Sequence, residues 1–383
     1  MKKICFVTGS RAEYGIMRSL LSMLEKDEDV QLDIVVTAMH LEEKYGYTIK
    51  DIEADNLHIV KKIPLYLENT SKHNISKSLA TLTEGLVDLF EDISYDLVII
   101  LGDRYEMLPI ANVALIYNIP ICHIHGGEKT LGNFDEAIRH SITKMSQLHL
   151  TATEEFRKRV IQLGETPFSV HNIGSMGVEN VIKQRFLSKD ELATELGVSL
   201  EDNYFVVLFH PVTFEDESAE RQTRALLSAL EMRSEQCIVI GSNSDTQSDI
   251  IMELMNEFVT RSQKHKLFSS LPTQYYHSLV KYSKGLVGNS SSGLIEVPSL
   301  KIPTLNIGNR QLGRLAGPSV VHVSCTEDEI KNGLQKLNKI SDFFNPYEKE
   351  NSIENAYFLI KKYISESPST MKEFYDIELG DSL

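Results

Sequence analysis

An α/β chain of two doubly wound parallel-sheet domains facing a cleft is what this 383-residue sequence predicts. Short β-branched runs alternate with longer helix-periodic segments from end to end, as in βαβ units. The strand-like runs, "DLVIILGD" among them, are nearly continuous in apolar residues, as a sheet covered on both faces requires. The length is that of two ordinary domains at roughly 150 residues each.

In the first half, strands are expected at Lys3 to Thr8, Leu32 to Thr37, Leu97 to Leu101, Ile119 to Ile124, Leu148 to Thr151 and Ser169 to Ile173. The polar stretch from Lys183 to Asn203 reads as a crossing that contains a short helix. A second series follows: "YFVVLFHP", "QCIVIGSN", "KLFSSLP", "GLVGNSSSG", "IPTLNIGN" and "VVHVSC". The expected division is residues 1–182 as a sugar and catalytic domain, 183–365 as a nucleotide-binding domain ending in the helix "SIENAYFLIKKYI", and 366–383 as a tail. Ligands of open parallel sheets lie beyond the carboxyl ends of the strands, which places the site in the cleft.

Composition narrows the function. Hydrophobic residues at 42% and charged residues at 24% are ordinary globular values. A net charge of −15 argues against nucleic acid or an anionic membrane as partner. No apolar run approaches the roughly 18 residues of a membrane span, and "MKKICFVTGS" lacks the long apolar core of a signal peptide. Cys5, Cys122, Cys237 and Cys325 are far apart in apolar runs, which suits reduced core thiols of a cytoplasmic protein. An anionic substrate would then depend on a few arginines and backbone N–H groups.

Strand ends supply the candidates. In "VGNSSSGLIE" a strand leads into a helix start where Ser290, Ser291 and Ser292 fall at the cap and first turn, a place that suits phosphate, or that is simply an N-cap. Glu296 is placed to reach a ribose diol, and "IPTLNIGNRQLGR" brings Arg310 and Arg314. "CFVTGSRAEYG" puts Arg11 on a turn, as a ligand contact or a surface residue. The dinucleotide and P-loop glycine patterns are absent, so neither a nicotinamide cofactor nor ATP is supported. "LGDRYEM" places Asp103 and Arg104 at a buried strand end, where an Asp serves as a base or caps the next helix. "HIHGGEKTLGNFDEAIRH" is densest in titratable groups. In an extended strand His123 and His125 share a face, with Glu128, Asp135, Glu136, Arg139 and His140 close behind. Metal ligation and general acid–base work both fit that pattern. His210 ends "YFVVLFHP", followed by Pro211, and a pyrophosphate facing it would keep it protonated.

With these stretches assembled, the chain resembles the hydrolysing branch of the UDP-N-acetylglucosamine 2-epimerase family, which serves sialic acid synthesis. The resemblance rests on "GSRAEYG", "GDRYEM", "HIHGGE", "DEAIRHSITK", "HPVT", "GNSSSGLIE" and "NIGNRQLGR", in that order. It implies a glycosyltransferase-B-like architecture, no cofactor and no catalytic metal, a UDP-sugar substrate and a homo-oligomer of two or four copies. By motif match it assigns nucleotide contacts to Arg11, Arg104, His210, Ser290, Ser291, Glu296 and Arg310, and catalytic positions to Asp103, Asp135 and His210. Some members read H-I-E-G-G-E where this chain has His125, so either His125 or Glu128 takes that glutamate's role. The implied reaction releases UDP and N-acetylmannosamine through 2-acetamidoglucal. Alternatives are the same chemistry on a UDP-diacetamido sugar for legionaminic acid, a retaining glycosyltransferase, a non-catalytic nucleotide-sugar sensor and a metal-dependent hydrolase.

Overall fold

The computed structural model describes residues 1–65, 71–129, 134–210, 218–241 and 248–377, with the side chains of Lys44, Ser248 and Asp249 left aside. They form two compact units, one of residues 1–65, 71–129, 134–180 and 349–377, the other of residues 181–210, 218–241 and 248–348.

The described residues of the first unit form a seven-stranded parallel sheet. Its strands are β1 (Lys2–Thr8), β2 (Val30–Thr37), β3 (Ile59–Ile63), β4 (Leu97–Leu101), β5 (Ile121–Ile124), β6 (Leu148–Thr151) and β7 (Val170–Asn172), in the order β3-β2-β1-β4-β5-β6-β7. Alternate residues serve two cores, as the period of two dictates. Ile4 and Phe6 pack under the helices Arg11–Glu25 and Ser352–Glu366, while Cys5 and Val7 face the helices Lys72–Asp92 and Met107–Ile116. That double burial is why "LVIIL" carries no polar residue.

The second unit repeats the plan with β8 (Tyr204–Leu208), β9 (Gln236–Ile240), β10 (Lys266–Phe268), β11 (Gly285–Gly288), β12 (Thr304–Ile307) and β13 (Val320–Val323), ordered β10-β9-β8-β11-β12-β13. In each sheet the chain order reverses beside the first strand, between β1 and β4 and between β8 and β11. Such a switch point opens a crevice at the strand ends, where ligands of this fold class bind.

Three features differ from the expectations. β3 was not foreseen; it is an edge strand with lysines at 61 and 62, and so lacks the apolar continuity of its neighbours. The helix Ser352–Glu366, expected to close the second domain, belongs to the first. Ile360 and Ile364 enter its core, Asp27 accepts hydrogen bonds from Tyr357 and is ion-paired to Lys361, each at 2.6 Å, and the Ile353 N–H donates to Glu179 at 2.7 Å. The serine-led helix is one turn, Ser292–Ile295, followed by a 3-10 turn Val297–Leu300 that contains Pro298. Its dipole is correspondingly small. The four cysteines are buried free thiols, and no helix of the described residues is long and apolar enough to cross a membrane.

Candidate active site

In the first unit the chain leaves β4 through Gly102, whose φ of +74° suits glycine. His123, fully buried on β5, fixes this turn: its Nε2–H donates to the Gly102 carbonyl at 2.9 Å, while Nδ1 accepts from the Thr143 hydroxyl at 3.1 Å. Burial holds the His123 pKa down at about 3, so the ring is neutral. With both nitrogens engaged, His123 orients the turn.

Asp103, next in the chain, is ion-paired with Arg139. Arg139 is 3% exposed and also donates to the Glu128 carbonyl at 2.8 Å and the Glu136 carboxylate at 3.1 Å. Asp135 opens the helix Asp135–Met145, one turn before Arg139 and on the same face. Arg139 therefore brings together Asp103, the Glu128 loop and the start of that helix. Its guanidinium offers a planar fork of donors, which suits several acceptors at once. Arg139 lay among the clustered titratable residues of the sequence without a role; only the fold brings Asp103 to it, 36 positions away.

His125 is not on the strand face of His123, because β5 ends at Ile124 and His125 adopts φ +66°. Its Nδ1 lies 3.6 Å from Glu128 Oε1, and its Nε2 is buried without a hydrogen-bond partner. Burial, opposed by Glu128, lowers its pKa. Among the described residues no group of three His, Cys, Asp or Glu side chains is arranged to hold a metal ion. The glycines of "HGGE" are needed for close packing. A Cβ on Gly126 would sit 3.1 Å from both His123 Nδ1 and Thr143 Oγ1, and one on Gly127, at φ +82°, 2.5 Å from the Phe156 carbonyl oxygen.

Arg104 turns to the β1 side. It donates to Glu106, fully buried, at 2.7 Å and lies 3.7 Å from Glu13. Glu13 also closes a capping box, accepting from the Ser10 and Gly9 N–H groups at 3.0 and 2.9 Å. Burial raises the Glu13 pKa to about 7, against the pull of Arg104 and with the push of Glu106. Thus Arg104, expected at the nucleotide, has its charge balanced within the protein. Arg11 is an exposed first-turn residue whose Nε lies 3.4 Å from Asp51.

In the second unit the ends of β8, β11 and β12 converge. Gly288, at φ +147°, lets the chain pass so close to Leu208 that a Cβ would lie 1.9 Å from its carbonyl oxygen. Ser291 precedes the short helix without a side-chain cap, while Ser290 Oγ accepts from the Ser292 N–H at 3.4 Å. Ser290 Oγ and Ser292 Oγ are 2.9 Å apart, and Tyr276 OH lies 2.6 Å from Ser292 Oγ. Glu296 accepts from His277 Nε2–H at 3.1 Å, and His277 Nδ1 accepts from Gln184 at 3.0 Å. Arg310 donates to the Asn289 carbonyl at 3.2 Å. His210 was expected to be protonated beside a pyrophosphate; in the protein alone burial, then Arg310, bring its pKa down to about 4. Pro211 lies outside the described residues.

Comparisons with known proteins identify the family and the fold. The family model described as UDP-N-acetylglucosamine 2-epimerase matches residues 22–361. The polysialic acid biosynthesis protein P7 of Escherichia coli is 48% identical over 385 residues, covering 98% of each chain. The GDP/UDP-N,N'-diacetylbacillosamine 2-epimerase (hydrolyzing) of Campylobacter jejuni is 39% identical over 341 residues, 88% of this chain and 87% of that one. The crystal structure of UDP-GlcNAc 2-epimerase from Neisseria meningitidis bound to UDP-GlcNAc matches with a TM-score of 0.73 at 16% identity, over 94% of this chain and 100% of that chain, a likeness of fold. The chain belongs to the UDP-N-acetylglucosamine 2-epimerase family.

Proposed function

We propose that the chain is a hydrolysing 2-epimerase that converts UDP-N-acetylglucosamine to N-acetylmannosamine and UDP, as a supply for sialic acid synthesis. The observation that carries the reading is the gathering of Asp103, the Glu128 loop with His125, and the helix start at Asp135 around Arg139. This is a set of proton-transfer groups at the carboxyl edge of one sheet. His210, the serines and Arg310 at the edge of the other are donors suited to a diphosphate.

The chemistry follows from the substrate. As the C1–oxygen bond breaks, UDP takes the bonding pair, and the positive charge developing at C1 acidifies the C2 hydrogen. A base removes that proton, and 2-acetamidoglucal forms. Water then adds its oxygen to C1 and gives up one proton to a carboxylate base, while an acid delivers a proton to the opposite face of C2, which inverts that centre. We assign Asp103 and Asp135 to the two proton transfers, with His125 or Glu128 as the third group, and His210 and Arg310 to the leaving diphosphate. The Campylobacter relative favours a second reading, the same chemistry on UDP-N,N'-diacetylbacillosamine.

Purified protein incubated with each UDP-sugar, without an acceptor, tests this. Equal yields of UDP and N-acetylmannosamine from UDP-N-acetylglucosamine are expected. A larger kcat/KM for the diacetamido sugar would select the second reading. UDP released only when an acceptor is added would indicate a glycosyltransferase, and no turnover of either sugar would overturn the proposal. The homo-oligomer of two or four copies is checked by light scattering.

A further inference from the structure

The geometry points to Asn289 as the positioning residue of the second unit's site, the group that sets His210 against Arg310; this rests on the function proposed above. The regular pairing of β8 with β11 ends at Leu208 and Gly288. The Asn289 N–H still donates to the Leu208 carbonyl at 3.2 Å. Beyond it the Asn289 side chain supplies the missing rung. Its Oδ1 accepts from the His210 N–H at 2.7 Å, and its Nδ2 donates to the His210 carbonyl at 2.9 Å. A primary amide has a donor and an acceptor side by side, so it can copy this two-point backbone pairing.

The main-chain carbonyl of the same residue receives Arg310 Nη1 at 3.2 Å and Gln311 Nε2 at 2.8 Å, which ties in the end of β12. Asn289 is 1% exposed and Gln311 3% exposed, so these bonds form out of water, where an unmatched partner is costly. Gly288 makes the arrangement possible, since any side chain there would meet the Leu208 carbonyl. One buried residue thus links His210, the serine turn that begins at Ser290, and the side chains of Arg310 and Gln311. His210 and Arg310 disfavour each other's positive charge, and Asn289 holds the two near each other at that cost, its amide on the His210 backbone and its carbonyl on the Arg310 guanidinium. A diphosphate entering there finds both groups already placed.

The test is a double-mutant cycle of Asn289→Ala and His210→Ala, read by UDP calorimetry and by kcat and KM for UDP-N-acetylglucosamine. Asn289→Ala alone is expected to weaken UDP binding and kcat/KM by about 10- to 100-fold, the range of one or two buried hydrogen bonds. In the His210→Ala background the same change should cost less than 3-fold, because its effect passes through His210. Equal losses in both backgrounds would overturn the inference. The nearly isosteric Asn289→Asp keeps the acceptor, loses the donor and adds a negative charge. It should raise the His210 titration point seen by NMR in the absence of any ligand, and an unmoved titration would also overturn the inference. If the wild type neither binds UDP nor turns over the sugar nucleotide, the proposed function fails and this inference with it. A working wild type with an additive cycle removes the Asn289 role alone.

Discussion

The two strand edges that carry the candidate residues are built on the same switch-point topology but are furnished with different groups. At the first, each arginine is met by carboxylates of its own unit: Asp103 and Glu136 for Arg139, Glu106 and Glu13 for Arg104, Asp51 for Arg11. At the second, hydroxyls, amides, Arg310 and a histidine held neutral by burial gather near Asn289, and the carboxylate of Glu296 accepts from His277. The first edge suits proton transfer, because its carboxylates are oriented and electrostatically supported. The second suits an incoming anion, whose charge would stabilise the protonated His210 that burial otherwise disfavours. Under the function proposed above, one fold used twice would supply separately the leaving-group stabilisation and the proton transfer that the reaction needs.

The contrast breaks most sharply at Asp103. Asp103→Asn should lower turnover by about 100-fold or more, the scale of a lost general acid or base, with UDP affinity close to wild type. Loss of UDP binding in a folded variant would contradict the division between the two edges. Changing Ser290 and Ser291 together to alanine should do the reverse, weakening UDP binding by at most a few kcal/mol, at roughly 1.5–3 kcal/mol per hydrogen bond to a charged group. Calorimetry that finds unchanged affinity would return the serines to a structural role.

Protonation gives a subtler distinction. His210 has a pKa of about 4 in the protein alone, and an adjacent diphosphate raises it. UDP binding should therefore take up a proton between that value and the raised one, and affinity should increase as pH falls through this window. The uptake, measured by calorimetry in buffers of different ionisation enthalpy, should be smaller in His210→Ala by the histidine's share; equal uptake in both proteins contradicts the assignment.

The smallest effect concerns stability at the first edge. Burial raises the folded pKa of Glu13 from the ordinary carboxylate range to about 7, so its stabilising contribution is full below the unfolded value and is lost as pH rises through 7. Glu13→Gln should leave stability nearly unchanged at pH 4 and raise it by about 1–3 kcal/mol at pH 8. Thermal unfolding at the two pH values would contradict the account if the gain appeared only at low pH.

Much of the fold was legible because buried parallel strands announce themselves: Leu97–Leu101 and Leu148–Thr151 lie where the apolar runs put them. β3 escaped because an edge strand can carry Lys61 and Lys62. The return of the last helix escaped because it depends on Asp27 meeting Tyr357 and Lys361, contacts without a local pattern. Among the candidate residues, position at a strand end singled out Asp103, His210, the serines and Arg310. Their partners were hidden, since Arg139, His123 and Asn289 act on groups 36, 21 and 79 positions away. The one-turn length of the serine helix was foreshadowed by Pro298, which lacks the N–H that a longer helix would need.

The central claim, that the bond broken is C1–oxygen and that C2 exchanges its hydrogen with solvent, is tested most directly by isotope placement. The reaction run in oxygen-18 water, with the sugar analysed before its anomeric oxygen exchanges, should label the sugar and leave UDP unlabelled. In deuterium oxide the released N-acetylmannosamine should carry deuterium at C2. Solvent oxygen in UDP, or a product that keeps its original C2 hydrogen, would contradict the account.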